Sequence, residues 1–349
     1  MHGLTLVDVT APSWYPSALH ELFARRDLSP EQVRTVLTDL LAGRCGDVEA
    51  AALLVAWRCK GESAEEIAAA VSVLRQHMIQ LETGRDDLLD TAGTGGDGTG
   101  TFNISTAAAL TAAAAGVPVV KHGNRAVSSH SGSADALQEL GVSLVEGTAW
   151  PLRCLREAGV AFCFAPYFHP LLRRLGPLRQ RLGVRTVLNC LGPLANPAGA
   201  ACQLVGVGFP QLLDPLAGAL ARLGTRHAFV VHGSDGLDEV TLSGTTWVRE
   251  VRGGRVMAHE WTPADFGLES CHLEDLRAVD PRQSAAIIRE VLDGVAGPAQ
   301  RVVLANTAAA LLAADHVTTL AEGVARAREA LGTGRARAVL GRLVALASG

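Results

Sequence analysis

From Leu88 onward, short apolar runs alternate with glycine-bounded helical stretches, and this alternation constrains the fold more than any other feature of the sequence. The runs LLD, VPVV, VSLV, VAFCF, QLVGV and HAFVVHG read as strands, with segments between them long enough to cross over a sheet. Crossovers of that length join parallel strands and place helices on the sheet's faces. Residues 243 to 262 follow another rule. TTWVREV, a Gly253-Gly254 turn and RVMAHEW predict an antiparallel hairpin near the sheet's edge. From Pro281 the tail reads as mostly helical.

The first quarter carries helix punctuation instead. Ser29, Pro30 and Gln32 open a helix that Gly43 closes, and Asp47 opens a second that runs through Lys60 to Gly61. Ser63 and Glu66 form a capping box for a third, expected to reach about Glu82. The expectation is an α/β protein, with a small all-α domain at residues 1–87 and a large α/β domain at 88–349 around a central, mostly parallel sheet. One stretch, Arg179 to Pro197, interrupts the βα rhythm with Gly and Pro and is expected to cross back to the helical unit.

Composition excludes several classes. The 349 residues suffice for one large or two ordinary domains with a sizeable core. With 48% hydrophobic and 19% charged residues the chain is not disordered. A net charge of −4 argues against a nucleic-acid partner, which would require a basic surface. No membrane partner is expected either. The uncharged run Gly98 to Val120 is long enough to span but is mostly Ala, Gly, Thr and Ser and carries Asn103 and Pro118. The start, MHGLTLVDVTAPS, has neither a basic region nor a long apolar one, so no secretory leader is expected. Seven cysteines without a C-x-x-C pair read as buried thiols in a reducing, cytoplasmic setting.

The chemistry concentrates in loops after strands. DTAGTGGDGTGTFNIST, Asp90 to Thr106, joins a strand to a helix through glycines that permit close backbone approach, and phosphate suits the helix's N-terminal dipole and N–H groups. It matches neither G-x-G-x-x-G nor the Walker pattern, because no Lys follows the last glycine. The next junction, Lys121 to Gly141, adds the charges of Lys121 and Arg125 and small donors at Asn124, Ser128, Ser129 and Ser133. Two adjacent anion sites would suit a ligand with phosphate groups at both ends. His122 lies within that loop and reads as ligand-facing. After another apolar run, Asp235, Asp238 and Glu239 offer carboxylates suited to a hard cation such as Mg²⁺. Around His169, the arginines 173, 174, 179, 181 and 185 read mainly as a solvated face; one of them could clamp a carboxylate, and the residues alone do not say which.

Taken together, GTGGD at Gly93 to Asp97, NIST at Asn103 to Thr106, KHGNRAVSS at Lys121 to Ser129, GSAD at Gly132 to Asp135, RTVLNCLGPLANP at Arg185 to Pro197 and DGLDE at Asp235 to Glu239 resemble the anthranilate phosphoribosyltransferase family in order and approximate spacing. The resemblance covers nearly the whole chain. It implies a nucleoside phosphorylase/phosphoribosyltransferase-like fold, a return of about Gly176 to Pro197 to the helical domain, and a homodimer through that domain. It also implies transfer of the phosphoribosyl group of phosphoribosyl pyrophosphate to the amino group of anthranilate, in tryptophan biosynthesis. The pyrimidine nucleoside phosphorylases share the fold and a KHG-like loop, but LGPLANP and the shorter chain argue against them.

By the same resemblance, Gly93, Gly96, Asp97, Thr101, Asn103, Ile104, Ser105 and Thr106 hold the pyrophosphate and ribose of the donor. Lys121, His122, Gly123, Asn124, Arg125, Ala126, Val127, Ser128, Ser129 and Ser133 complete the phosphate cradle. Ser105, Asp238 and Glu239 hold two Mg²⁺ ions. Anthranilate falls to Gly93, Asn124 and Arg179, with His122, His169 and Pro193 along its path. Lys121, Asp97 and Arg179 are expected to be catalytic only through charge and positioning, because a neutral aromatic amine needs no strong base. Two alternatives share much of this pattern: a transferase for another aromatic acceptor, and a non-enzymatic nucleic-acid-binding relative.

Overall fold

The computed structural model describes residues 11–126 and 130–347. Val127, Ser128 and Ser129 of the expected phosphate cradle lie outside the described residues, as do residues 1–10 at the start of the chain. Four helices come first: α1 (Tyr15–Phe23), α2 (Pro30–Ala42), α3 (Asp47–Lys60) and α4 (Ala64–His77). The expected capping box at Ser63 and Glu66 is formed, and Ser29 and Gln32 form another: each serine accepts from the N3 N–H, and each N3 side chain accepts in return from the cap. Helix α4 ends at His77, short of the expected Glu82. There Met78 turns extended, the Ile79 N–H bonds Phe168 O and the Leu81 N–H bonds Pro197 O, which draws the chain off the helix axis. Helix α1 has no side-chain cap; its start signal is Pro16 in the first turn, which carries no role in the sequence reading.

The α/β part begins with β1 (Leu89–Gly93), α5 (Ile104–Ala114), β2 (Val119–Gly123), α6 (Ser133–Glu139), α7 (Ala149–Ala158) and β3 (Val160–Phe164). Four short helices follow: α8 (Ala165–Phe168), α9 (Pro170–Arg174), α10 (Gly176–Leu182) and α11 (Leu188–Leu191). Then come β4 (Cys202–Gly206), α12 (Leu213–Arg222), β5 (His227–Gly233), and the expected hairpin, β6 (Thr246–Arg252) and β7 (Arg255–Trp261). Helices α13 (Pro281–Leu292), α14 (Pro298–Ala313), α15 (Leu320–Gly332) and α16 (Arg335–Ala347) complete the chain.

The strands form one seven-stranded sheet in the order β3-β2-β1-β4-β5-β6-β7, parallel through β5 and antiparallel beyond it. VSLV is not a strand. The Val142 N–H closes the end of α6 onto Leu137 O and so cannot enter a ladder. From β1 the chain builds outward through β2 to β3, then returns to the other side of β1 with β4. That reversal opens a crevice beyond the C-terminal ends of β1 and β4, where open α/β sheets bind ligands.

Two apolar clusters flank the sheet. On one face α5, α14 and neighbouring helices pack against Leu89, Val119 and Leu204. On the other, Leu37, Leu54, Trp57 and Ile67 of the helical bundle share a cluster with Leu175, Leu178, Val187 and Leu191, with α12, and with sheet residues Val205, Ala228, Val230 and Val251. Among the described residues no helix is long and apolar enough to cross a membrane, and Gly98 to Val120 is divided among a loop, α5 and β2. All seven cysteines are unpaired; five are buried, Cys45 is half-buried and Cys59 is exposed, so burial does not extend to every thiol.

Candidate active site

Three strand ends meet in the crevice. β1 ends at Gly93 and the loop after it carries Thr94 to Asp97, β4 ends at Gly206, and the turn after β5 brings Asp238 and Glu239 across. The approach at Gly206 is so close that a Cβ there would lie 1.6 Å from the backbone carbonyl oxygen of Asp238, which admits glycine only. Asp238 Oδ2 accepts from the Gly95 N–H at 2.9 Å, and the Asp238 N–H points at Asp97 Oδ2, 3.5 Å away. Thr99 Oγ1 steadies the same Asp97 oxygen at 2.6 Å.

A second chain of contacts runs alongside. Glu239 Oε1 accepts from the Ser105 N–H at 3.0 Å, in the first turn of α5, where an anion is favoured by the helix dipole. Lys121, buried on β2, donates to the Thr91 carbonyl and to Ser105 Oγ at 3.0 Å. Asp97, Ser105, Lys121, Asp238 and Glu239 therefore line one crevice. The first-turn N–H that the sequence reserved for phosphate is held here by Glu239.

The electrostatics follow from burial. Desolvation, then the charges of Asp97 and Glu239, drive Asp238 well above the usual carboxylate range. Glu239 rises to about 7, again through desolvation, with Lys121 and the Ser105 N–H pulling the other way. Burial lowers Lys121 against the attraction of Asp90, Glu239 and Asp238. Three carboxylates beside one ammonium make a site with too little positive charge and a hard-oxygen donor set, which fits a divalent cation of the Mg²⁺ type. Among the described residues no three His, Cys, Asp or Glu side chains close into a preformed cage. Mg²⁺ does not need one, since one or two carboxylates with substrate oxygens and water suffice.

Residues 16–78 match the glycosyl transferase family helical bundle domain, and residues 85–337 match the glycosyl transferase family a/b domain. The anthranilate phosphoribosyltransferase of Rhizobium meliloti is 47% identical over 325 residues, covering 93% of this chain and 96% of that protein. That of Thermomicrobium roseum is 47% identical over 336 residues, covering 95% and 97%. The crystal structure of the Thermus thermophilus enzyme superposes with a TM-score of 0.89 at 44% identity, covering 95% of this chain and 99% of that one. The Saccharomyces cerevisiae enzyme in complex with PRPP and Mg does so with a TM-score of 0.88 at 28% identity, covering 97% and 99%. The chain belongs to the anthranilate phosphoribosyltransferase family.

The remaining residues singled out by this family resemblance divide into several settings. The Asn103 side chain is engaged by Ser131 and Ser284, tying the start of α5 to α13. Ile104 and Thr106 are buried, and Thr101 forms an isolated bridge with Arg277. Gly123 packs so closely that a Cβ would meet Ser133 Oγ at 2.1 Å. Asn124 is exposed, its Oδ1 accepting from the Arg125 N–H. The Arg125 guanidinium is paired with Asp135 at 2.9 Å and lies over Phe164. The same Asp135 carboxylate holds the Ala126 N–H at 2.8 Å. Asp235 departs from the acidic pair, accepting from Thr241 Oγ1 and the Leu237 N–H in its own turn. Of the arginine run, 173, 174 and 181 are exposed while Arg179 and Arg185 are half-buried.

His122 and His169 lie side by side with ring centroids 4.9 Å apart and planes tilted by 51°, His122 Nδ1 against Gly192 O and His169 Nε2 against Ala195 O, beside Pro193. The other nitrogen of each ring is buried and unpartnered. Burial, with the neighbouring His169 next, pushes His122 down to about 3, and burial pushes His169 to about 4. Both rings are neutral at pH 7. The unfolded chain, with its histidines near 6.5, binds more protons than the folded one between that pH and 3 to 4. This part of the stability is complete above about pH 6.5 and is lost as pH falls, at up to about 1.4 kcal/mol per pH unit for each ring. Thermal unfolding at pH 7 and pH 5 should show wild type losing more stability than a His122→Gln/His169→Gln variant; parallel losses would contradict the assignment.

Two functional-site residues carry no role in the sequence reading. Asp90, inside β1, accepts from the His122 N–H at 3.1 Å and from Asn196 Nδ2 at 2.8 Å, and Asn196 also donates to Val120 O at 2.7 Å. Burial lifts Asp90 to about 6. The available signal was an acid within an apolar strand run, because a buried carboxylate must find donors.

Proposed function

We propose that this chain transfers the 5-phosphoribosyl group of phosphoribosyl pyrophosphate to the amino group of anthranilate, releasing pyrophosphate. One observation carries the reading: Asp97, Lys121 and Glu239, from three different strand ends, share one crevice with Asp238 and Ser105. A sugar with phosphates at both ends requires that convergence. In this reading Gly93, Gly96, Asp97, Thr101 and Asn103 to Thr106 hold the donor's diphosphate and ribose, and the segment Lys121 to Ser129 with Ser133 holds its phosphate. Asn124 and Arg179 take anthranilate, with His122, His169 and Pro193 lining its approach.

Breaking the glycosidic C–O bond places negative charge on the departing diphosphate. Lys121, fixed by Thr91 and Ser105 before the reaction begins, supplies positive charge that needs no reorganisation. Mg²⁺, two ions at Ser105, Asp238 and Glu239, would add Lewis-acid charge neutralisation when bound. The two neutral histidines keep the acceptor's path uncharged, so the aromatic amine is met by no competing proton donor of imidazolium type. Positioning of the two substrates supplies the remainder.

The biological setting is part of the proposal. Tryptophan biosynthesis is the route that uses this transfer, and unpaired cysteines support a reducing cytoplasm. A homodimer formed through the helical domain, as the family resemblance implies, belongs to the same proposal. That domain comprises residues 1–87 completed by 176–197, and the donor-binding domain 88–349. The test is direct. With Mg²⁺ and phosphoribosyl pyrophosphate, purified protein should consume anthranilate fluorescence and release one pyrophosphate per anthranilate. Unchanged fluorescence at high enzyme concentration overturns the acceptor, and nucleic-acid retention without pyrophosphate release overturns the activity.

A further inference from the structure

We propose that Arg185 is a positioning residue for the donor: it latches the glycine loop after β1 from the segment that carries the acceptor arginine. This rests on the function proposed above. Arg185 Nη2 donates to the carbonyl of Thr94 at 2.8 Å, and the guanidinium occupies the space beside Gly96. Gly96 has φ +76°, and a Cβ there would stand 1.9 Å from Arg185 Nη1 and 2.9 Å from its Cζ. The loop backbone and the arginine are thus fitted to each other.

Three further features separate Arg185 from an ordinary surface arginine. Its guanidinium lies 5.6 Å from the centre of the Phe209 ring, a contact that orients a planar cation but would not orient an ammonium in the same way. Arg58, already paired with Glu62 at 3.3 Å, lies 6.0 Å from the same ring, so the position is enclosed. Among the described residues, the hydrogen bond from its side chain goes to a carbonyl and not to a carboxylate, although Asp97 and Asp238 attract it from a distance. A half-buried cation held this way keeps much of its charge for an incoming anion. Arg179, six positions earlier and also half-buried, feels its repulsion. Two arginines on one segment without a carboxylate ion pair among the described residues suit two anionic substrates, and the bond to Thr94 places Arg185 on the donor's side.

The consequence is a division of labour within α10 and the turn after it. Arg179 serves the acceptor directly, while Arg185 acts through the loop on the diphosphate end of the donor. Loss of a charge-assisted hydrogen bond of this kind corresponds to roughly a ten- to hundredfold change in affinity.

The experiment uses the full-length protein with Arg185→Met, Arg185→Lys and Arg179→Ala. Calorimetric titration with phosphoribosyl pyrophosphate and Mg²⁺ is read beside steady-state KM values for both substrates. Arg185→Met should lose roughly ten- to a hundredfold in donor affinity and lower kcat, with KM for anthranilate little changed. Arg185→Lys should recover part of the donor affinity, since it keeps the charge but not the planar fork. Arg179→Ala should show the opposite split, and if Arg185→Met does not fold, the Lys variant carries the comparison. Wild-type donor affinity in Arg185→Met, or equal losses on both substrates with a lowered Tm, overturns the proposal. A wild-type protein that binds no donor overturns the functional reading itself, a result that the variants could not produce.

Discussion

Asp238→Asn combined with Glu239→Gln should lower turnover by roughly 10²–10³-fold and at the same time raise the thermal stability of the ligand-free protein. The two effects share a cause. Both carboxylates are half-buried, Asp238 beside Asp97 and Glu239, and desolvation holds both above their ordinary range. The folded protein therefore binds more protons here than the unfolded chain between the unfolded carboxylate value near 4.3 and about 7 for Glu239. Stability from these groups is present below that window and is lost as pH rises through it. The amide variant is freed from that loss, so its Tm should exceed wild type most clearly above pH 7. Mg²⁺ with donor should raise the Tm of wild type and leave the variant unmoved. A variant that still gains stability from the metal would remove this pair from the metal site.

Lys121→Met should cost roughly 10²–10³-fold in turnover while leaving anthranilate binding nearly intact. Methionine fills the volume of the lysine stem, so the packing around β2 survives and the change falls on the charge. The ammonium is held by Thr91 O and Ser105 Oγ, and it is the cation that opposes the rise of both Asp90 and Glu239. Its removal leaves those two carboxylates with their hydrogen-bond donors but no neighbouring cation and deprives the departing diphosphate of preorganised positive charge. Single-turnover measurements at saturating anthranilate would isolate the step. Turnover near the wild-type value would exclude Lys121 from the proposed electrostatic role.

Much of this architecture was legible because its signals are local. Ser29 with Gln32, Ser63 with Glu66, the Gly253-Gly254 turn and the glycine loop after β1 each announce a structure within a few residues. Signals that depend on distant partners were silent. Nothing near Arg125 shows that it pairs with Asp135 across a loop, and nothing near Ser105 shows that its N–H meets a glutamate 134 positions away. VSLV has the composition of a strand, but the preceding helix end claims the Val142 N–H. Arg179 and Arg185 could not be told from their exposed neighbours, because burial of an arginine depends on what packs over it. The family resemblance picked out Arg179 through a match of motifs, not through its physics.

The apolar cluster shared by the helical bundle and the sheet bears on modularity. Leu37, Trp57 and Ile67 from the bundle contribute to the same cluster as Val205 and Val230 from the strands and Leu216 from α12. Neither portion owns a complete interior. Severed between α4 and β1, each piece would present oily surface to water, so the two regions that sequence comparison separates are expected to melt as one cooperative unit.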